Sequence, residues 1–522
     1  MRIHGIWLAA LVALVMGGSA REGRTMLVIG HRGVPAEAPQ NTLAGLRRAI
    51  ALGLDYVELD LRTTADGAIV DSHNSTVDGH TDGKGPISQM SLAELRKLDA
   101  GSWYGRQFRG ERVPLFAEEL AVAKGRIKFY LDMKDVDPLA VVRLLAQFDM
   151  VEDAVCYTGV ADLERMQAVD PRVRAMPHLA RAQDMPALAA RVHPYCVERG
   201  AGPLDTEAIA AAHAQGAKYF LDIQGEGDNE ANILACLKAG VDAVQTDHPA
   251  LVLTVLRKAG IKRPAPGPAP EAPPVPGRRH DPQRVKIIAH RGANRHAPQN
   301  TLPASREAIA LGLDYIELDL RTTADGLLVD IHNRTVDQTT NGRGEVKALR
   351  YRELRALDAG SWFSPAFKGT HLPLLGEVLA LAKDRIGIYL DWKEAEPEPV
   401  VRLLQAFGMT QQVLVHEDEE TCRQVRALDP SIPLMPGANS VEEVRRLAEG
   451  LHPYAVEVRW RYFSEEAVQV CHQAGMLCAT SLAAAGEDTE QAMRRAVAAG
   501  LDMIETDDPE LLLRVLRAMS RE

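Results

Sequence analysis

The chain has 522 residues, 46% hydrophobic and 25% charged, with a formal net charge of −11. That length is enough for two domains with full cores. The acidic balance argues against a nucleic-acid partner held by general electrostatics, and six cysteines are too few for a disulfide scaffold.

Residues 1–20 read as a secretory signal. Arg2 and His4 give a mildly basic start, Ile6 to Met16 form a short apolar core, and Gly18-Ser19-Ala20 offers a cleavage site. The expectation is a secreted or periplasmic protein with no stable membrane insertion after cleavage. A first domain then runs over 21–260. It opens with TMLVIGHRG, a buried strand with His31 at its end and Gly33 allowing close backbone approach. Asn41-Thr42 caps a helix that Gly53 closes.

YVELDL follows as a strand, with Tyr56, Glu58 and Asp60 on one face. Two carboxylates so placed repel each other unless a cation holds them, and a hard divalent ion takes such ligands. Asp66-Gly67 predicts a two-residue hairpin turn, which places His73 opposite Asp60 on the same face. Ser91 and Glu94 form a capping box at the start of SLAELRKLDAG, an amphipathic helix. In KFYLDMKD, Tyr130, Asp132 and Lys134 share a face, adding a third acidic ligand beside an ammonium suited to phosphate. Strand-like and helix-like segments then alternate to give eight or nine strand candidates, the rhythm of a (β/α)₈ barrel with its catalytic groups at the C-terminal strand ends. Cys156, Cys196 and Cys236 lie in this domain, and Cys422, Cys471 and Cys478 in the next. Spacing leaves their pairing open, with buried free thiols among the possibilities.

Residues 261–283 include RPAPGPAPEAPPVPGRR, a proline-rich, semi-rigid linker. A second domain, 284–522, repeats the first. An offset of 259 residues carries His31 to His290, Glu58 to Glu317, Asp60 to Asp319, His73 to His332 and Asp132 to Asp391. The fold class predicted is α/β: two tandem TIM (β/α)₈ barrels joined by the linker.

Several motifs recur in both halves: HRG, P-x-N-T, E-L-D, T-x-D-G, H-N, LDMK or LDWK, and TDHP or TDDP. Each half thereby resembles the glycerophosphodiester phosphodiesterase family over nearly its whole length. The resemblance implies hydrolysis of small-molecule glycerophosphodiesters to glycerol 3-phosphate and an alcohol, with one divalent cation, Ca²⁺ or Mg²⁺, in each barrel. It assigns Glu58, Asp60, Asp132, Glu317, Asp319 and Asp391 as metal ligands. His31, His73, His290 and His332 become acid/base groups, and Arg32, Lys134, Arg291 and Lys393 phosphate-binding cations. There are departures. Gln40 and Gln299 stand where the family usually has Glu, Asn74 and Asn333 where it has Asp, and Asp132 and Asp391 where Glu is common. The late Trp-Thr-Val-Asn segment has no match in KYFLDIQ or MLCATSL, which bears on the headgroup or glycerol pocket. Two alternatives are a phospholipase D-like lipase on the same barrel, and an envelope phosphodiester-binding protein with one or both barrels catalytically silent.

Overall fold

The structure is a computed structural model that describes residues 26–200, 202–261, 263 and 285–520. The signal segment and nearly all of the linker lie outside the described residues. The chain divides into two compact units, residues 1–271 and 272–522.

In the first unit the strands are β1 (Leu27–Gly30), β2 (Tyr56–Thr63), β3 (Ile69–Asp71), β4 (Lys128–Asp135), β5 (Ala154–Tyr157), β6 (Arg174–Met176), β7 (Cys196–Glu198), β8 (Lys218–Asp222) and β9 (Ala243–Thr246). Eight run parallel in the order β6-β5-β4-β2-β1-β9-β8-β7, and the short β3 hangs antiparallel on β2. A bridge between His178 and Glu198 brings the two ends of the sheet together. The second unit repeats this with β10 (Lys286–Ala289), β11 (Tyr315–Thr322), β12 (Leu328–Asp330), β13 (Gly387–Glu394), β14 (Val413–His416), β15 (Gly437–Ala438), β16 (Ala455–Val458), β17 (Leu477–Ser481) and β18 (Met503–Thr506). Both are TIM barrels, as the repeat predicts.

Parallel barrel strands bury both faces, so their sequences are apolar almost throughout. One set of alternate residues, including Ile29, Tyr56, Tyr130, Val155, Met176 and Phe220, fills the first barrel's interior. Ile288, Tyr389, Leu414, Met435, Ala479 and Met503 do the same in the second. The capping predictions hold. Thr42 accepts the Gly45 amide at the start of helix Leu43–Leu52, and Gly53 ends it at φ 70°. Ser91 and Glu94 make their capping box, but the helix they start runs only Leu92–Leu95. All six cysteines are free and buried, which resolves the pairing left open by spacing.

The hairpin register differs from the sequence expectation by one residue. Leu61 pairs with Asp71, and Leu320 with Asp330, so His73 is not opposite Asp60. The turn is a three-residue loop. Thr64 and Ala68 close it, and only Gly67, at φ 84°, takes the left-handed conformation. Asp66 keeps a negative φ because its carboxylate is used elsewhere: it accepts the Thr64 hydroxyl at 2.6 Å and the Leu92 amide at 2.9 Å. Asp325 does the same with Thr323 and Tyr351. One residue of slip exchanges the faces of a strand, so Asp71 shares the face of Leu61, not that of Asp60, and His73 falls just beyond the strand end.

Candidate active site

The site lies at the C-terminal ends of the strands. Glu58 and Asp60 on β2 and Asp132 on β4 place one carboxylate oxygen each within 4.8 Å of one another, and Glu317, Asp319 and Asp391 do so in the second barrel. Asp60 and Asp132 are direct register partners. Glu58 and Asp60 are only 3% and 1% exposed. Burial, then the charges of Asp60, Asp71 and Asp132, pushes the Glu58 carboxyl well above the usual carboxylate range. Burial, Asp319, Glu505 and Asp391 do the same to Glu317.

Lys134 reaches this cluster because β4 is bulged there. Leu61 pairs with Met133 and Arg62 with Asp135, so Lys134 is the extra residue, and a bulge re-aims a side chain. Its ammonium lies 2.5 Å from Asp132 Oδ2 and 3.2 Å from Asp60 Oδ1. Burial works against the charge, but these two carboxylates raise the Lys134 pKa. Lys393 stands in the same way between Asp391 and Asp319.

Arg32 and Arg291 hold left-handed backbone angles, φ 50° and 55°. That turn aims the Arg32 amide at Glu58 Oε2, 2.8 Å away, and the Arg291 amide at Glu317 Oε2, 2.7 Å away. Gly33 makes the turn possible: it has φ 96°, and a Cβ there would meet the Gly45 backbone at 3.0 Å. The guanidinium of Arg32 donates to Gln40 at 3.2 Å and that of Arg291 to Gln299 at 2.8 Å. The buried Nε atoms of both arginines make no hydrogen bond, and neither does the buried Oδ1 of Asp319. They are held instead as ion pairs: Arg32 Nε lies 3.4 Å from Asp60 Oδ2, Arg291 Nε 3.6 Å from Asp319 Oδ2, and Lys393 Nζ 3.3 Å from Asp319 Oδ1, so cationic groups stand directly beside the carboxylates. Three clustered carboxylate oxygens form the donor set of a hard divalent ion, so the residues present fit the implied metal.

His31 donates from Nδ1 to Asp247 Oδ1 at 2.7 Å, and His290 to Asp507 Oδ1 at 2.7 Å. The Asp247 carboxyl is held below its usual range, first by that hydrogen bond. An ionised acceptor fixes the proton on Nδ1 and leaves Nε2 able to take one. His73 and His332 sit at the hairpin ends, held through their carbonyls by Arg62 and Arg321 at 2.6 and 2.8 Å. Their Nδ1 atoms lie 3.0 and 2.9 Å from Oδ1 of Asn74 and Asn333.

Sequence reasoning missed three pairs of residues here. Asn41, left-handed at φ 50°, donates one amide to Asp60 Oδ2 at 3.3 Å and Asp71 Oδ1 at 2.6 Å. Asn300 does so with Asp319 and Asp330 at 3.1 and 2.7 Å. Asp71 also accepts the Asp60 backbone amide at 2.8 Å. Asp247 and Asp507 were visible only as part of the TDHP and TDDP motifs. The barrels also differ. Register partners Asp222 and Gln245 in the first correspond to Ser481 and Glu505 in the second, so the carboxylate changes strand. His416 stands where the first barrel has Tyr157, and its Nδ1 lies 3.5 Å from Glu457.

Among known proteins, the model of the glycerophosphoryl diester phosphodiesterase family matches residues 31–251 and again 290–509. A glycerophosphodiester phosphodiesterase of Caldanaerobacter subterraneus subsp. tengcongensis is 34% identical over 252 residues, which is 45% of this chain and 98% of that protein. One from Bacillus subtilis is 28% identical over 259 residues, 45% of this chain and 87% of its own. A solved glycerophosphodiester phosphodiesterase structure from Agrobacterium tumefaciens is 31% identical, with a TM-score of 0.40 over 44% of this chain and 99% of that one. Two matched regions, each a full barrel with the same polar cluster, lead to one conclusion: this chain belongs to the glycerophosphoryl diester phosphodiesterase family of phosphoric diester hydrolases, with two copies of the family's domain in one polypeptide.

Proposed function

We propose that each barrel hydrolyses glycerophosphodiesters to glycerol 3-phosphate and an alcohol, with one divalent cation, Ca²⁺ or Mg²⁺, held by Glu58, Asp60 and Asp132 or by Glu317, Asp319 and Asp391. The observation that carries this reading is the carboxylate triad, two of its three members buried, flanked by an arginine and a lysine in both barrels. A bound cation supplies charge neutralisation at the phosphate oxygens.

The chain's own groups do the rest. Arg32 and Lys134 orient the phosphate and stabilise charge on its non-bridging oxygens, as Arg291 and Lys393 do in the second barrel. His31, with its proton fixed on Nδ1 by Asp247, accepts a proton at Nε2 from the attacking hydroxyl. His73 delivers a proton to the leaving alcohol. His290 and His332 take the corresponding parts. The exchange of Asp222 and Gln245 for Ser481 and Glu505 favours different organic groups in the two barrels. The leader sequence supports action outside the cytoplasm. Among the described residues no helix is long and apolar enough to cross a membrane.

The test is turnover of a soluble glycerophosphodiester before and after exhaustive chelation. Activity should vanish with chelator and return with added Ca²⁺ or Mg²⁺. Full activity in metal-free protein would rule out the proposal.

A further inference from the structure

We propose that His80 and Gln338 are positioning residues for the imidazoles of His73 and His332, acting through the side-chain amides of Asn74 and Asn333. The inference rests on the proton-transfer role given to His73 and His332 above.

An asparagine beside a histidine is an ambiguous partner. Its amide can present oxygen, which fixes the imidazole proton on Nδ1, or nitrogen, which demands the opposite tautomer. A carboxylate at this position would leave no such choice. With Asn74 the orientation must be set by what the other end of the amide meets. In the first barrel Asn74 Nδ2 lies 3.3 Å from His80 Nδ1. In the second, Asn333 Nδ2 donates to Gln338 Oε1 at 2.8 Å. Gln338 Oε1 accepts from the amide nitrogen, and His80 Nδ1 does so in the tautomer protonated at Nε2, so each turns the amide oxygen toward the histidine. Nδ1 then carries a ring proton, which leaves Nε2 as the nitrogen that can accept or release one.

The two acceptors do not come from equivalent positions. Gly79 stands where the second barrel has Gln338, and Thr339 stands where the first has His80. Different side chains from neighbouring positions thus make the same contact to the same atom. A role in packing alone gives no reason for both to be acceptors. His80 is further held edge-on against Trp103, with ring centroids 5.2 Å apart, and it lines one small cavity with Asn41, Asp71 and His73.

The two devices differ in one respect. Gln338 accepts at any pH, whereas His80 accepts only while its Nδ1 is unprotonated. The groups facing His80 are Arg32, His73 and, across the cavity, Asp71, and the Trp103 indole is uncharged. Burial, then Arg32 and His73, holds His80 below its ordinary range, so the ring is neutral at neutral pH. Acidification converts Nδ1 to a donor, removes the acceptor for Asn74 and frees the amide to turn. The first barrel therefore loses turnover more steeply on the acid side than the second.

The experiment uses the full chain with one barrel silenced, by E317Q/D319N or by E58Q/D60N, and a soluble glycerophosphodiester with added divalent cation. H80A should lower kcat of the first barrel by about 10-fold with little change in KM, the size typical of losing a supporting contact. H80Q should restore most of kcat and give an acid limb like that of the second barrel. Q338A should lower kcat of the second barrel similarly, and it carries the test if H80A does not fold. Unchanged kcat and pH profile in H80A and Q338A, with H73A and H332A inactive, would overturn the inference while leaving the proposed function standing. Equal losses in H80A and H80Q would assign His80 to packing and overturn it too. Normal turnover in H73A would remove the role of His73 and this inference with it.

Discussion

Asn41 offers a sharp test of how the acidic cluster is held. Its side chain is 8% exposed and donates to two buried carboxylates, Asp60 and Asp71, from a left-handed backbone. Asn41→Ala removes both hydrogen bonds to charged acceptors, a loss of about 2–3 kcal/mol. Alanine also tolerates a positive φ less well than asparagine, by about 1 kcal/mol. The sum of about 3–4 kcal/mol lowers the melting temperature of a barrel this size by roughly 6–16 °C. Asn41→Gly loses the same hydrogen bonds but relieves the backbone, so it should be less damaging by about 1 kcal/mol. Calorimetry of the full chain measures both, with Asn300→Ala marking the transition of the second barrel. An unchanged first-barrel transition in Asn41→Ala would refute the reasoning, as would a glycine variant less stable than the alanine one.

Replacing His31 or His73 by Ala, with the second barrel silenced, should cut turnover by about 100-fold or more while cation binding survives, and a variant with near-normal turnover reassigns that histidine to structure. The first barrel should also show a pH-dependent stability in metal-free protein. Burial pushes Glu198 up to about 7, and burial with the charges of Glu198 and Asp132 pushes Asp222 up to about 8. A carboxyl whose folded pKa is raised contributes stability below its unfolded value, about 4, that is lost as pH rises through the folded value. Unfolding midpoints should therefore fall between about pH 4 and pH 8, and Asp222→Asn should flatten that slope. An unaltered slope in Asp222→Asn would contradict it.

Much of the fold was legible because the barrel is written in local signals repeated twice. Thr42, Gly53, Ser91 and Glu94 act where their residue types predict. The clustered acids were legible because alternation on β2 and β4 is a local property of each strand. The hairpin register was not. Asp-Gly suits both a two-residue and a three-residue loop, and the choice is made by the Asp66 carboxylate bonding Leu92, 26 residues away. Asn41 and Asp71 were missed for the same reason: they meet across 30 residues of chain, and only the folded barrel brings them behind Asp60. The exchange of Asp222 and Gln245 for Ser481 and Glu505 was hidden because adjacent strands of a parallel barrel are far apart in sequence.

The central claim is that both barrels are enzymes using their carboxylate triads. The most direct test compares three full-length variants, E58Q/D60N, E317Q/D319N and the combination of all four changes, in turnover of a panel of soluble glycerophosphodiesters with added divalent cation. Each two-site variant should retain the activity of its intact barrel, and the four-site variant should retain none. A two-site variant as inactive as the four-site variant on every substrate would contradict dual activity, and a four-site variant with normal turnover would contradict the assignment of the triads.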